Sequence, residues 1–346
     1  MVQVLLRGSC HSTLLYDNII SIENLFQAWE EFLRGKRNRP DVQEYARHLE
    51  DNVFTLHDQL HNHCWKHGGY EQFRICDPKP RIIHKASVAD RLVHHALIRQ
   101  LNPIFDNSFI YDSWSCRVGK GTHAAVLRLR QLLKRHDYRQ NGAVWTLKCD
   151  IRNFFASIDH SILLELIYRR INDVRLRRLV EDVVESFCPG LPLGNLTSQL
   201  FTNIYLDKFD HFVQRTFKGA SYLRYCDDFI FIYEDGVWLE SQISLIREIL
   251  LSELKLQLHP QKIALRPWHY GVDWLGYVLY PDRIKVRTST KKRMQKNIDR
   301  YAFEFLDGSS NVQEIIPAVF ASYQGLLRPA NERALSDYYF LLSKCL

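Results

Sequence analysis

Two adjacent carboxylates, Asp227 and Asp228, stand in the middle of an apolar run, with Tyr225-Cys226 before them and Phe229-Ile230-Phe231-Ile232 after. Holding like charges together away from water is costly, so such a pair ionises against a cation. No basic residue lies inside that stretch, which makes a divalent metal the natural partner. Asp150 supplies a third carboxylate at the end of a second hydrophobic stretch, Ala143 to Ile151. Three hard oxygen donors without a His or Cys cluster favour Mg²⁺ or Mn²⁺ over zinc. Two such ions, about 3.5–4 Å apart, activate a hydroxyl and stabilise a leaving pyrophosphate in phosphoryl transfer. Taken alone, an Asp-Asp dipeptide is more simply a tight turn between two strands.

The elements that must position these acids follow from periodicity. Ala143 to Ile151 reads as a buried strand ending in a carboxylate, and Tyr222 to Tyr233 as a hairpin or bent strand with the two acids at its centre. Asp159 is placed to cap a helix running through Ile162, Leu163, Leu166 and Ile167. Further helices are expected over Gln199–Phe212 and Val237–Leu254, then a strand, giving an α+β layer with an antiparallel sheet. Upstream, helical spacing from Ser21 to about Lys66 predicts two helices separated by the basic turn Arg34 to Pro40. Short strands at Glu71–Ile75 and Pro80–Lys85, joined by Asp77-Pro78-Lys79-Pro80, precede helices over Val88–Gln100 and Thr122–Arg135. Beyond Gly276, short strands give way to a basic segment and two terminal helices.

The motifs together resemble a family. Tyr225-Cys226-Asp227-Asp228 is similar to the Y-x-D-D box of reverse transcriptases, and Asp150-Ile151-Arg152-Asn153-Phe154-Phe155 to their first catalytic motif. Gly190 to Gln199 lies where that family has its template- and nucleotide-contacting loop, and Leu275-Gly276-Tyr277 where its primer grip belongs. The resemblance covers roughly Phe73 to Arg287 and implies an α+β right-hand polymerase. Its expected parts are an N-terminal helical extension (1–66), fingers (67–142), palm (143–280) and thumb (281–346). It also implies Asp150, Ile151, Asp227 and Asp228 as ligands of two Mg²⁺ or Mn²⁺ ions, with template RNA, a DNA or RNA primer and deoxynucleotides as partners. The loop departs from the common Q-G-x-x-x-S-P form: Leu193 stands where Gln is usual, and Gln199 where Pro is usual. The L-G-N-x-T-S-Q version resembles the enzymes of diversity-generating retroelements, which copy a template RNA with frequent errors opposite adenine. That subfamily implies a small basic accessory protein and a structured template RNA.

Other residues take roles by resemblance, each beside a plainer reading. Phe155 would form a steric gate beneath the sugar; otherwise it is ordinary core. Arg81, with Lys79 or Lys85, is the candidate grip on the triphosphate, because guanidinium forks match phosphate oxygens; otherwise it belongs to a solvated charge run. Leu193 and Gln199 are nucleotide-binding candidates, and Gly194, Asn195, Gly276 and Tyr277 contact nucleic acid in this reading. Lys262 is the candidate general acid for the leaving pyrophosphate. Arg117 and Lys120, in the loop Ser115 to Thr122, would approach a phosphate chain, although this G-K-G-T lacks the spacing of a P-loop. Arg283, Lys285, Arg287, Lys291, Lys292, Arg293, Lys296 and Arg300 form a basic cluster with few acids among them. On its helix, Met294, Ile298, Tyr301 and Phe305 give one face to packing and leave the other to phosphates; a merely solvated face is the alternative.

Composition agrees with a nucleic-acid partner and excludes several classes. The 346 residues carry 46 Lys plus Arg against 39 Asp plus Glu, a net charge of +7, and 46% are hydrophobic, enough for a substantial core. Eight cysteines without a C-x-x-C pair make a disulfide scaffold or zinc ribbon an unfavoured reading. No apolar stretch approaches the ~20 residues of a membrane span, so a cytoplasmic protein without membrane contact is expected, and the resemblance implies a prokaryotic one. No zinc-binding nuclease module or long maturase extension is recognisable, which points away from a full group II intron protein. Rival readings are a retron-like or phage-defence reverse transcriptase, and a nucleic-acid-binding protein whose palm has lost activity.

Overall fold

Short polar side chains decide where several helices begin. Ser21, Ser87, Asp159 and Asp173 each accept a main-chain N–H from the first turn of the helix that follows, a device that stabilises by about 1 kcal/mol per helix. The computed structural model describes residues 14–76, 80–140, 144–307, 312–330 and 332. In chain order these form α1 (Leu14–Ile20), α2 (Ile22–Phe32), α3 (Pro40–Arg47), α4 (Leu49–His61), β1 (Tyr70–Ile75), β2 (Arg81–Ala86) and α5 (Val88–Asp106). Then come α6 (Thr122–Gln140), β3 (Trp145–Asp150), α7 (His160–Tyr168), α8 (Val174–Glu185) and α9 (Leu196–Thr216). The chain continues through β4 (Ser221–Tyr225), β5 (Asp228–Tyr233), α10 (Gly236–Leu254), β6 (Ala264–Pro267), β7 (Val272–Trp274), β8 (Tyr277–Leu279) and β9 (Ile284–Val286). It closes on α11 (Thr288–Leu306) and α12 (Val312–Leu327).

The α+β class with an antiparallel sheet is the one expected, and every strand pairing is antiparallel. Several details differ from expectation, the first being α1, which precedes the elements expected from Ser21 onward. The second N-terminal helix is two, because His48 leaves helical geometry at φ −124° and ψ 39° and separates α3 from α4. Helix α8 lies outside the expected elements, although Asp173 caps it through the N–H groups of Arg175 and Leu176 and its buried residues, Leu176, Leu179, Val180, Val183 and Val184, keep helical spacing. The Asp77-Pro78-Lys79 turn, Ala143 and the side chain of Phe305 lie outside the described residues.

By its internal contacts the chain divides into two compact units. The first draws on Met1–Cys116, Ile151–Thr216 and Ile246–His259. Its core is α5 against α2 and α9, with Leu25, Phe32, Leu92, Leu97, Phe201 and Phe209 all buried. Buried Asn24 ties it together: its amide donates to the carbonyls of Ile19 and Ala96, and its Oδ1 accepts from Arg99. The second unit draws on Arg117–Asp150, Phe217–Leu245 and Pro260–Leu346. It holds a four-stranded sheet of order β4-β5-β3-β6 and a three-stranded sheet β7-β8-β9. The Phe229 to Ile232 stretch is buried in full, which explains why β5 reads as a continuous apolar run rather than an alternating one. Among the described residues no helix is long and apolar enough to cross a membrane, and none of the six described cysteines forms a disulfide with another.

The first unit also carries a pH sensitivity. His94 is 1% exposed, and its Nε2 lies 3.2 Å from that of His67. Burial pushes His94 down to about 3 and neighbouring His95 down to about 4. Both stay neutral in the fold while the unfolded chain takes up protons below about 6.5, so their contribution is intact above that pH and is lost as pH falls toward 4. The urea midpoint is therefore expected to drop between pH 7 and pH 5, with a smaller drop in His94→Gln; equal slopes would remove His94 from the account.

Candidate active site

The strand register assembles the acids. β3 and β5 pair so that Asp150 lies directly opposite Asp228, and β4 pairs with β5 so that Tyr225 closes on Asp228. Cys226 and Asp227 are then the two residues of a hairpin turn, and Asp227 stands beside both other acids. Cys226 takes φ 56°, a left-handed conformation at the first turn position that glycine usually supplies. Arg224, fully buried, donates to the Cys226 carbonyl at 3.1 Å and so fastens the strained turn from beneath. A tight turn is thus present, but it is made by Cys226 and Asp227, with Asp228 already the first residue of β5.

Two lysines face the carboxylates. Lys262 donates to Asp150 Oδ1 at 2.8 Å, which brings together two residues singled out separately from sequence. Lys148, which the motif argument did not select, has its Nζ 3.3 Å from Asp228 Oδ2. Its position two residues before Asp150 puts both side chains on one face of β3, the signal that could have found it. Burial raises Asp228 to about 6, opposed by Lys148 and reinforced by Asp150 and Asp227. Asp227 is raised as well, by burial and then by the charge of Asp150. Asp228 Oδ1 is buried without a hydrogen-bond partner.

Among the described residues no three His, Cys, Asp or Glu side chains gather as a ready-made metal cage. The donor set nevertheless fits a hard divalent cation: three carboxylates at one end of a sheet, an orphaned buried oxygen, and negative charge that two ammonium groups offset only in part. The side chain of Ile151 is buried, so that position offers only main-chain groups.

The second unit also carries the other basic and primer-grip candidates. Leu275 and Gly276, at φ 49° and 89°, form the two-residue turn joining β7 to β8. Tyr277 is buried and its hydroxyl donates to the Leu326 carbonyl, so that turn presents main chain rather than the tyrosine ring. On α11 the exposed residues Lys292, Lys296 and Arg300 recur every fourth position opposite buried Met294 and Ile298. Lys291 pairs with Glu332, and Arg293 is half-buried. Arg117 and Lys120 bracket a tight turn in which the Lys120 N–H donates to the Arg117 carbonyl.

In the first unit the nucleotide-loop candidates form a stiff assembly. Leu193 accepts from the His84 N–H at 3.0 Å, and the Asn195 amide reaches the His84 carbonyl at 3.4 Å, docking the loop on β2. At Gly194 (φ 111°) a Cβ would meet Ile83 at 2.8 Å. At Gly190 (φ 70°) it would meet the Phe155 carbonyl at 2.1 Å, and the Leu191 N–H donates to that same carbonyl. Gly190, absent from the candidates above, therefore fixes how closely the loop approaches Phe155. Phe155 is half-buried, its ring 5.7 Å from that of Phe154. Asn195 is buried with its Oδ1 unpartnered, whereas Gln199 is exposed. Arg81 is exposed at the start of β2, while Lys85 is engaged by Asp41 and Glu71, which favours a structural role for that lysine.

Residues 66–279, more than half of the chain, match the family described as reverse transcriptase (RNA-dependent DNA polymerase). The chain belongs to the reverse transcriptase family. The right-hand polymerase architecture goes with that membership. Protein YkfC of Escherichia coli K12 is 24% identical over 242 residues, covering 57% of this chain and 62% of that protein. The group II intron-encoded protein LtrA of Lactococcus lactis is 22% identical over 293 residues, covering 63% of this chain and 47% of LtrA. The chain thus spans less than two thirds of either relative. Among solved structures, the telomerase of Candida albicans in complex with a fragment of telomeric RNA aligns at 11% identity and TM-score 0.49, covering 76% of this chain and 54% of that one. A partial Cas6-RT-Cas1–Cas2 complex aligns at 19% identity and TM-score 0.41, covering 70% and 43%.

The raised Asp228 yields a stability test. Its folded pKa exceeds the unfolded value, so it contributes stability at low pH that is lost as pH rises through about 6. Asp228→Asn should therefore melt higher than wild type at pH 7.5 and no higher at pH 4.5; a variant that melts lower at pH 7.5 would contradict the account of this carboxylate.

Proposed function

We propose that the protein is an RNA-directed DNA polymerase that extends a primer on an RNA template by nucleotidyl transfer. The observation that carries this reading is the register that sets Asp150 opposite Asp228 with Asp227 at the adjoining turn, within a chain of the reverse transcriptase family. Asp150, Asp227 and Asp228 would hold Mg²⁺ or Mn²⁺, two ions in this family's manner, with the main chain at Ile151. Such ions, when bound, lower the pKa of the attacking hydroxyl and neutralise charge on the leaving pyrophosphate. Lys262, which donates to Asp150, would give the pyrophosphate a proton. Arg81, exposed at the start of β2, would offer its guanidinium fork to the triphosphate. Lys292, Lys296 and Arg300 supply a phosphate-tracking face, as the thumb of such an enzyme does. Gly276 would offer main chain to the primer and Arg117 and Lys120 a basic turn, while Leu193 and Gln199 remain the candidates for nucleotide contact.

Within the family we infer the diversity-generating type, acting in a prokaryotic cytoplasm with a small basic accessory protein. Support comes from Leu193 and Gln199, since an aliphatic side chain at position 193 removes an amide that would hydrogen-bond near the template–nucleotide pair. Wild type with Mg²⁺ is expected to extend a primer on RNA with errors concentrated opposite adenine, and Asp227→Ala-Asp228→Ala to lose extension by at least a thousandfold. Leu193→Gln should lower the adenine-directed errors. Accurate, carboxylate-dependent products would favour a retron-like or defence enzyme, and absence of extension a binding protein. Phe155→Ala should raise ribonucleotide incorporation at least tenfold if the ring gates the sugar; unchanged discrimination returns Phe155 to the core.

A further inference from the structure

Lys148 has two partners that belong to different sheets. From β3 its side chain crosses diagonally to Asp228, the residue two positions from its direct partner Ile230, and its Nζ approaches Oδ2 at 3.3 Å. The same Nζ donates to the main-chain carbonyl of Asp273 on β7 at 3.2 Å. On the other side of β3 the direct partner is Ala264, whose small side chain leaves room for the lysine in a cavity of about 340 Å³ that Asp150, Lys262, Arg266 and Asp273 also line. The chain of contacts continues: the Asp273 carboxylate takes the Arg287 guanidinium, and the Arg287 N–H donates to the carbonyl of Gly276 in the β7–β8 turn. A continuous polar path thus runs from Asp228 through Lys148, Asp273 and Arg287 to that turn. Among the described residues Asp228 has Oδ2 held and Oδ1 without a partner.

We propose that Lys148 is a positioning residue of the nucleotidyl transfer, fixing the Asp228 carboxylate to the main chain of β7 so that the acid and the Gly276 turn keep one alignment. This rests on the polymerase reading above. An ammonium suits the task because it is a compact cation with several donors, enough to hold a carboxylate and a carbonyl at once. Truncation would leave Asp228 free to rotate while the strands that carry it stay paired.

The test compares wild type, Lys148→Met and Lys148→Arg in primer extension, primer–template binding without nucleotide, and thermal melting. Lys148→Met is expected to lower kcat at least tenfold, with KM for the nucleotide and primer–template affinity within threefold of wild type, and Lys148→Arg to recover part of kcat. A structural role alone would lower melting temperature and primer–template affinity together with kcat, and that outcome overturns the proposal. So does Lys148→Met with kcat within twofold of wild type. A second arm reads the contact itself: Lys148→Met should shift the urea midpoint in the wild-type background and shift it less in Asp228→Asn, and equal shifts would contradict the ion pair. Wild type that extends no primer overturns the functional reading, whereas active wild type beside an equally active Lys148→Met overturns this inference alone.

Discussion

Three carboxylates held together at the end of one buried sheet are the constraint on which the rest of the second unit depends. Removing a carboxylate from water costs several kcal/mol, and two like charges 4 Å apart repel by about 4 kcal/mol at an effective dielectric near 20. The raised Asp227 and Asp228 express that cost directly. What offsets it is local and specific. Lys262 sits on Asp150, Lys148 on Asp228, and the buried Arg224 holds the carbonyl of the left-handed Cys226 so that the turn cannot relax. Strain and unfavourable charge kept at one point by surrounding structure are what the proposed cation site would account for.

The first unit meets a different demand, a rigidly docked loop. Its loop is pinned from two sides: the Leu193 and Asn195 contacts to His84 bind it to β2, and the missing side chain of Gly190 lets Leu191 reach the Phe155 carbonyl. Neither glycine tolerates a Cβ, one because of a backbone atom and the other because of Ile83. A loop held this closely keeps the Leu193 main chain in one place, which the nucleotide-selecting role proposed for Leu193 would require.

The acids were legible in sequence because a doubled carboxylate inside Phe-Ile-Phe-Ile has few explanations, and Asp150 because it ends a hydrophobic strand. Asp159 announced its helix, and its side chain does accept the Ile162 N–H. The partnership of Asp150 with Asp228 was not legible, since register is a property of two strands and neither carries it alone. Lys148 escaped notice because a lysine within a strand looks like any solvent-facing residue until its diagonal neighbour is known. Tyr277 looked like a contact residue and is core, because its hydroxyl finds a carbonyl 49 residues away. Helix α8 is the instructive case, for both its Asp173 cap and its apolar spacing were there to be read.

The central claim is that Asp150, Asp227 and Asp228 form one divalent-cation site, and counting bound Mn²⁺ tests it most directly. Electron paramagnetic resonance of free Mn²⁺, titrated into the full chain with primer–template and a non-hydrolysable nucleotide, should show ions that wild type binds and that Asp227→Asn-Asp228→Asn does not, with both proteins folded. Identical Mn²⁺ binding by the two would contradict the account.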